Sequence, residues 1–339
     1  MLTAETLRKI DELTGIDPRA LPDSVLGSKQ PLVLRGIAAD WPLVRAGRES
    51  PRAACDYLLR FYRQATVGVF LGPPEIEGRF FYDEDLSGLN FKPALIKLDT
   101  VLEEIVRHAD AVRPPALYVG STSIDTALPD FRRANDLGFG QRDPLASIWI
   151  SNRSRIAAHH DLPDNLACVA VGRRRFTLFP PDQLENLYIG PIDFTPAGQP
   201  ISLVDFRKPD FARFPKFAAA LAQARVAELG PGDAIFIPSL WWHHIESLEG
   251  MNVLVNYWWR DTPDYMDSPV NALLHAIMTV RDLPEEQRRT MAQMFQHYVF
   301  APGEQTAAHI PEGARRVLGP LDAARVRELR AYLLKRLNR

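Results

Sequence analysis

The chain has 339 residues, of which 46% are hydrophobic and 24% are charged, with a formal net charge of −2. This composition is typical of a globular protein, and the small net charge argues against general affinity for nucleic acid or anionic membranes. Charges interrupt the first ten residues, and no stretch approaches the roughly 20 apolar residues of a membrane span, so we expect neither a signal peptide nor a membrane helix. Only Cys55 and Cys168 are present, which favours a reduced, cytoplasmic chain.

The first 30 residues predict a short helix followed by a loop. From residue 31 onward the sequence is typical of short strands bounded by glycine, proline or aspartate, with one helix expected near residues 100–109. Many short strands without regular intervening helices favour a mainly β sandwich or jelly roll. The expected strands include residues 32–34, 116–119, 147–150, 176–179, 234–237 and 253–258.

The pattern becomes helical after residue 269. Val270, Leu273 and Ile277 follow helical spacing, Pro284 precedes acidic residues that suit a first helical turn, and a last helix is predicted after Asp322. These helices either cover one end of the β domain or pair two copies of the chain, and we favour pairing. The predicted organisation is a helix and loop at 1–30, a β-rich domain at 31–262 and a helical region at 263–339.

Two histidine pairs and one aspartate carry the strongest chemical signal. His159 and Asp161 are two residues apart, so in a strand they face the same side, whereas His160 faces the other. His243 and His244 follow a separate predicted strand, and spacing alone leaves them nearly equal as a third ligand. Two imidazoles and one carboxylate leave part of a metal's coordination sphere open, as in non-haem Fe(II) oxygenases. The alternatives are buried hydrogen-bonding histidines or a catalytic zinc site, since two cysteines cannot supply a cysteine-rich structural one.

Three consecutive arginines, at 173–175, lead into the strand predicted at 176–179. If Phe176 faces the core, strand parity directs Arg174 inward with it. A buried guanidinium is unfavourable unless it meets an anion, and its planar fork matches a carboxylate. The alternative is a solvated basic run on an edge strand. We interpret Arg174 as a clamp for the far carboxylate of 2-oxoglutarate, whose other end would chelate the metal.

Four long motifs stand in order between residues 158 and 258. They are Ala-His-His-Asp-Leu-Pro-Asp-Asn at 158–165, Gly-Arg-Arg-Arg-Phe-Thr-Leu-Phe-Pro-Pro-Asp-Gln at 172–183, Gly-Asp-Ala-Ile-Phe-Ile-Pro-Ser-Leu-Trp-Trp-His-His at 232–244 and Val-Asn-Tyr-Trp at 255–258. Together they resemble the cupin-like JmjC family of Fe(II)/2-oxoglutarate-dependent oxygenases. The resemblance covers about residues 30–260. Within the family, the chain is similar to the asparaginyl hydroxylase that inhibits the hypoxia-inducible factor.

The resemblance implies a double-stranded β-helix (jelly roll) that uses Fe(II) with 2-oxoglutarate as cosubstrate. It favours His243 as the third metal ligand and places Tyr118, Asn165 and Asn256 around 2-oxoglutarate. It also implies a homodimer formed through the C-terminal helices. Trp258 shares strand parity with Asn256, so we expect it at the substrate mouth.

The chain departs from that asparaginyl hydroxylase at three places. Arg174 stands where the hydroxylase has lysine, and because arginine is longer and planar we expect a different pose for 2-oxoglutarate. Ile156 replaces a hydroxyl residue that helps to hold the same carboxylate. Pro200 and Ile201 replace an arginine–glutamine pair that contacts the target amide, so asparagine hydroxylation does not follow from the resemblance.

The predicted function is therefore an Fe(II)- and 2-oxoglutarate-dependent dioxygenase that hydroxylates an aliphatic carbon of a protein or peptide side chain. One alternative is a hydroxylase of a small metabolite or free amino acid, and demethylation of lysine or arginine would use the same chemistry. Another is a cupin that binds a metal or ligand without turnover. The acidic and aromatic run at 80–85 is either a lip for a peptide or a solvated loop.

Overall fold

A computed structural model describes residues 7–338 of the chain, which divides into two compact units, Met1–Arg260 and Asp261–Arg339. Part of the predicted N-terminal helix falls on residues 1–6 and lies outside the described residues. The rest of that segment contains two short strands, β1 (Arg8–Lys9) and β2 (Asp11–Leu13), and only one helical turn, α1 (Asp23–Leu26). Within residues 7–30, α-helix is thus confined to the four residues of α1, and β1 and β2 were not predicted.

Thirteen further strands follow within the first unit. They are β3 (Leu32–Leu34), β4 (Thr66–Gly72), β5 (Arg79–Phe80), β6 (Lys92–Lys97), β7 (Ala116–Ser123), β8 (Leu145–Ser151), β9 (Ser154–His159), β10 (Asp164–Val171), β11 (Arg174–Phe179), β12 (Arg225–Leu229), β13 (Ala234–Ile237), β14 (Trp242–Ser247) and β15 (Asn252–Trp259). Each strand predicted from sequence lies within one of these.

The strands form two mixed sheets. The larger has the order β2-β3-β13-β10-β15-β8-β7-β4-β6, and the smaller has the order β1-β12-β11-β14-β9-β5. Most neighbours are antiparallel, and the sheets face each other across apolar side chains such as Phe176 and Leu178 from one sheet and Ile235 and Leu254 from the other. This arrangement of two facing, mostly antiparallel sheets confirms the predicted jelly roll.

Besides α1, the described part of the first unit contains five α-helices. They are α2 (Pro42–Glu49), α3 (Pro51–Leu59), α4 (Leu98–Arg107), α5 (Ile124–Ala127) and α6 (Phe217–Gln223). The outer face of the larger sheet buries Leu166 and Tyr257 in one core with Leu58 of α3 and Leu102 of α4. The larger sheet is therefore buried on both faces.

The second unit is helical, as predicted, with α7 (Pro269–Thr279), α8 (Glu285–Phe295) and α9 (Ala323–Leu337). The side chain of Asp322 caps α9 by accepting hydrogen bonds from the backbone N–H groups of Ala324 and Arg325. Many large apolar side chains of this unit are exposed, among them Leu273, Met278, Tyr298, Tyr332, Leu333 and Leu334.

Two findings bear on the setting of the chain. Within residues 7–338, no helix is both long and apolar enough to cross a membrane. Cys55 and Cys168 are both buried and free, so the two thiols do not form the single bridge that their number would allow.

Candidate metal centre

Strand register brings the three candidate metal ligands together. β9 and β14 are antiparallel neighbours that pair His159 with His243, and the two ring centroids lie 4.2 Å apart. Asp161 lies two residues beyond the end of β9 rather than inside a strand, yet its Oδ2 is 3.6 Å from Nε2 of His243. The candidate ligand atoms of the three residues all lie within 4.8 Å of one another. This set of two imidazoles and one carboxylate fits a divalent metal ion with open positions.

Both imidazoles are held in an orientation that suits metal binding. Nδ1 of His159 lies 2.9 Å from the carbonyl oxygen of Ala157, and Nδ1 of His243 lies 3.0 Å from that of Trp241. When Nδ1–H donates to a carbonyl group, the lone pair of Nε2 is free for a metal. Burial, assisted by the charge of His159, lowers the pKa of His243 to about 4. The ring is therefore neutral at pH 7, which is the form that binds metal.

The other two histidines face away from this triad. The ring of His160 packs edge-to-face on Trp242, with 4.5 Å between ring centroids, and the ring of His244 packs on Phe206 at 4.6 Å. Each is therefore occupied in aromatic packing. The structure brings together the histidines that the sequence reading preferred, His159 and His243.

A cavity of about 210 Å³ adjoins the triad. The cavity is lined by the other residues that the sequence analysis assigned to the site, namely Tyr118, Asn165, Arg174, Asn256 and Trp258. Phe80 and Ile201 lie in the same wall. Phe81 and Tyr82 are buried, so the aromatic part of the run at 80–85 is not a solvated loop.

Arg174 is the buried cation of this cavity. Its side chain points inward with Phe176, is only 2% exposed, and leaves Nε and Nη2 without a hydrogen-bond partner among the described residues. Burial lowers the pKa of Arg174 to about 10, so the guanidinium is still charged at pH 7. Orphaned donors on a buried cation fit a bound carboxylate, such as that of 2-oxoglutarate.

A tight turn sets the position of Arg174. Gly172, between β10 and β11, has a φ of +75°, and a Cβ there would lie 2.5 Å from Oδ1 of Asn252 and 2.6 Å from the carbonyl oxygen of Met251. Only glycine fits this approach and this backbone conformation. The turn therefore fixes the register in which β11 presents Arg174 to the cavity.

A chain of hydrogen bonds links the polar residues of the cavity. Nε1 of Trp149 donates to Oδ1 of Asn256 at 2.7 Å, and Nδ2 of Asn256 donates to Oδ1 of Asn165 at 3.2 Å. The ring of Tyr118 lies 6.0 Å from that of Trp149, and burial raises the pKa of its hydroxyl. Sequence reasoning missed Trp149, although its parity in the predicted strand at 147–150 was a usable signal.

A jelly roll that carries two histidines and a carboxylate beside an internal cavity defines a cupin-type metal-binding protein. Residues 18–265 match the cupin-like domain family, and the chain belongs to that family. The JmjC oxygenases related to it use Fe(II) and 2-oxoglutarate, and the triad and Arg174 are the residues that fit these two groups.

Several curated proteins are similar to parts of the chain. Lysine-specific demethylase JMJ31 of Arabidopsis thaliana is 35% identical over 132 residues, which cover 37% of this chain and 24% of that protein. HSPB1-associated protein 1 of Homo sapiens is 29% identical over 161 residues, or 47% of this chain and 32% of that protein. Lysine-specific demethylase 8 of Xenopus tropicalis is 26% identical over 241 residues, or 70% of this chain and 49% of that protein.

The chain thus spans less than half the length of these relatives. Their names confirm the resemblance to the JmjC oxygenases as a family. The narrower likeness to the asparaginyl hydroxylase stays a prediction.

Proposed function

We propose that this chain is an Fe(II)- and 2-oxoglutarate-dependent oxygenase that hydroxylates an aliphatic carbon of a protein or peptide side chain. The observation that carries the proposal is the convergence of His159, Asp161 and His243 within 4.8 Å beside a cavity whose wall holds the unpaired cation of Arg174. A metal site alone would need no such cation, whereas a chelating dicarboxylate needs both.

In this proposal the two histidines and Asp161 hold Fe(II), and Arg174 forms an ion pair with the far carboxylate of 2-oxoglutarate. Tyr118, Asn165 and Asn256 complete the polar contacts of the cosubstrate. When bound, iron and 2-oxoglutarate supply the oxidative chemistry, in which oxygen, 2-oxoglutarate and substrate give succinate, carbon dioxide and a hydroxylated product.

The remaining cavity residues position the reactants and exclude water. The bond from Trp149 fixes the amide of Asn256, so that its NH₂ group is directed to Asn165. Apolar side chains such as Phe80 and Ile201 line the same wall, and Trp258 contributes an aromatic surface for the substrate. A dry wall of this kind strengthens the ion pair at Arg174.

The relatives support a macromolecular substrate. Two of them are named lysine-specific demethylases, and a third is named for association with another protein. Demethylation would begin with the same hydroxylation of a carbon, and a small metabolite or free amino acid is the alternative substrate. A cupin that only binds metal stays the alternative to an enzyme.

We further propose that residues 31–262 form the catalytic domain and that residues 263–339 pair two copies of the chain. The exposed apolar residues of α7 and α9, such as Leu273 and Leu334, support pairing because surfaces of this kind are usually covered by a partner. We retain a cytoplasmic location as part of the proposal, since both thiols are free.

Release of succinate from 2-oxoglutarate tests the proposed reaction. The wild-type chain should form succinate only when Fe(II), oxygen and 2-oxoglutarate are all supplied. Asp161→Ala should abolish this activity, and His160→Ala is the matched control because its ring packs on Trp242. Succinate formation by Asp161→Ala at the wild-type rate would reject the assignment. Mass spectrometry of peptides incubated with the active chain would then show a gain of one oxygen or the loss of a methyl group.

A further inference from the structure

A second cleft, distinct from the metal cavity, lies where β5 pairs with β9. Its volume is about 240 Å³. Four of its described lining residues are arginines, at positions 113, 153, 155 and 207, and Glu77 is the one acidic residue among them. We call this feature the arginine cleft. Like charges gathered around a concave surface attract an anion.

Arg155 is the buried member of the cleft. The residue is only 8% exposed, and its three hydrogen bonds are long. Nε donates to the carbonyl oxygen of Glu77 at 3.3 Å, Nη1 to Oδ1 of Asp205 at 3.5 Å and Nη2 to the carbonyl oxygen of Ile76 at 3.4 Å. Burial and the positive charge of Arg207 lower its pKa. The ion pairs of Arg155 with Asp205 at 3.5 Å and with Glu77 at 4.0 Å are also long, so a bound anion could approach this group more closely than its present partners do.

Arg113 and Arg153 supply the positive charge of the cleft that no carboxylate among the described residues offsets. Arg207 pairs with Glu246 at 2.9 Å, but within residues 7–338 neither Arg113 nor Arg153 lies within ion-pair distance of a carboxylate. Arg153 donates hydrogen bonds to the carbonyl oxygens of Leu248 and Ala111, both at 3.4 Å. Both residues are exposed, so solvent-borne ligands can reach them, and Arg153 would exchange its two long hydrogen bonds for a contact with the ligand.

We propose that the arginine cleft binds an oxyanion carried by a polypeptide, either a carboxylate or a phosphorylated side chain. Guanidinium groups match both oxyanions in a bidentate manner, and the cleft has room for one side-chain head group. Arg155 and His159 belong to the same strand, so a peptide bound here would lie near the metal cavity.

The neighbouring surface favours a polypeptide over a nucleic acid. Arg155 also lines an adjoining cleft of about 480 Å³, which contains Glu75, Asp83 and Glu84 along with Arg79. A polyphosphate backbone crossing this surface would meet those acidic residues, whereas a peptide with one acidic group would not have to. Binding of an oxyanion at the arginine cleft requires neither iron nor 2-oxoglutarate, so it can be measured independently of the proposed oxygenase activity.

The test measures binding directly on the full chain labelled with ¹⁵N-arginine. The Nε–H resonances report each guanidinium during titration with inorganic phosphate and with three N-acetylated, C-amidated tripeptides, Ala-Ser-Ala, Ala-phosphoserine-Ala and Ala-Glu-Ala. We expect saturable shifts at Arg155 with at least one charged peptide and none with the serine peptide. The comparison of phosphoserine with glutamate identifies which oxyanion is preferred.

A charge-neutralised variant supplies the second arm. Arg113→Gln combined with Arg153→Gln should weaken peptide binding at least about tenfold, because two charge-assisted contacts are lost. Arg60→Gln combined with Arg63→Gln removes two exposed arginines elsewhere and should leave binding unchanged. If the double variant of the cleft fails to fold, Arg113→Glu alone serves, since this side chain makes no ion pair among residues 7–338.

Three results would overturn the proposal. They are the absence of saturable shifts with both charged peptides, saturation by inorganic phosphate alone, and an unchanged dissociation constant in the cleft variant.

Discussion

Replacement of Arg174 by methionine is expected to change stability and cosubstrate affinity in opposite directions. In the protein without cosubstrate, burial lowers the pKa of Arg174 from its ordinary value to about 10. This lowering corresponds to about 3 kcal/mol against the charged guanidinium in the folded state at pH 7. Methionine is shorter than arginine but unbranched, flexible and uncharged, so Arg174→Met should raise the free energy of unfolding by about 1–3 kcal/mol.

The same substitution should weaken 2-oxoglutarate binding. Nε and Nη2 of Arg174 have no partner among the described residues, so the proposed carboxylate would gain up to two charge-assisted hydrogen bonds from them. One such bond contributes about 1.5–3 kcal/mol, and about 1.4 kcal/mol corresponds to tenfold in affinity. We therefore expect a dissociation constant about 10- to 100-fold higher in Arg174→Met, with metal binding unchanged.

Urea unfolding without ligand measures the stability, and calorimetric titration of 2-oxoglutarate in the presence of Mn²⁺ measures the affinity. Arg175→Met is the matched control on the same strand. That residue forms ion pairs with Glu228 and Glu246, so its loss should slightly lower stability and leave cosubstrate affinity unchanged. Unchanged affinity in Arg174→Met would remove Arg174 from the proposed clamp, and a loss of stability would refute the argument from burial.

Three other predictions concern the metal, the pH dependence and the assembly. Asp161→Ala should remove the stabilisation by Mn²⁺, about 3 kcal/mol at 100 times the dissociation constant, while His160→Ala keeps it; thermal melts with and without metal decide this. Burial raises the pKa of Glu246, but nearby cations hold it below the ordinary value overall, so its contribution is complete above that value and is lost as the pH falls. Urea unfolding should therefore show Glu246→Gln less stable than wild type at pH 7 and nearly equal to it at strongly acidic pH, and a constant difference would contradict the sign. Leu334→Asp, in the exposed face of α9, should shift the sedimentation of the chain from dimer to monomer.

The elements that sequence predicted are those whose signal is local. The strands at 32–34 and 234–237 have the predicted bounds because each is a short apolar run flanked by turn residues. By contrast, α2 and α3 were not predicted, although Pro42 and Pro51 suit the first turn of a helix. The N-terminal strands could not be foreseen locally, since β1 pairs with residues near 225.

The site followed the same division. Strand parity was enough to direct Arg174 into the core, but the choice between His243 and His244 required the register of β9 against β14. Asp161 reaches the triad from a loop, which parity within a strand does not describe. Trp149 donates its hydrogen bond to Asn256, which is more than one hundred positions away in the chain, so its partner could not be predicted locally. The arginine cleft is formed by four separate segments of the chain, so no single sequence motif predicts it.

The bonds that orient the two metal-facing imidazoles each span only two residues, from the His159 ring to a carbonyl group within β9 and from the His243 ring to the carbonyl group of Trp241, just before β14. The orientation of the two rings thus depends on two tripeptides and on the register of β9 against β14. Apart from the loop that carries Asp161, the loops around the opening can therefore differ in length and chemistry without changing the orientation of the two imidazoles. In such a scaffold, the orientation of the histidine ligands is set separately from the loops that select the substrate.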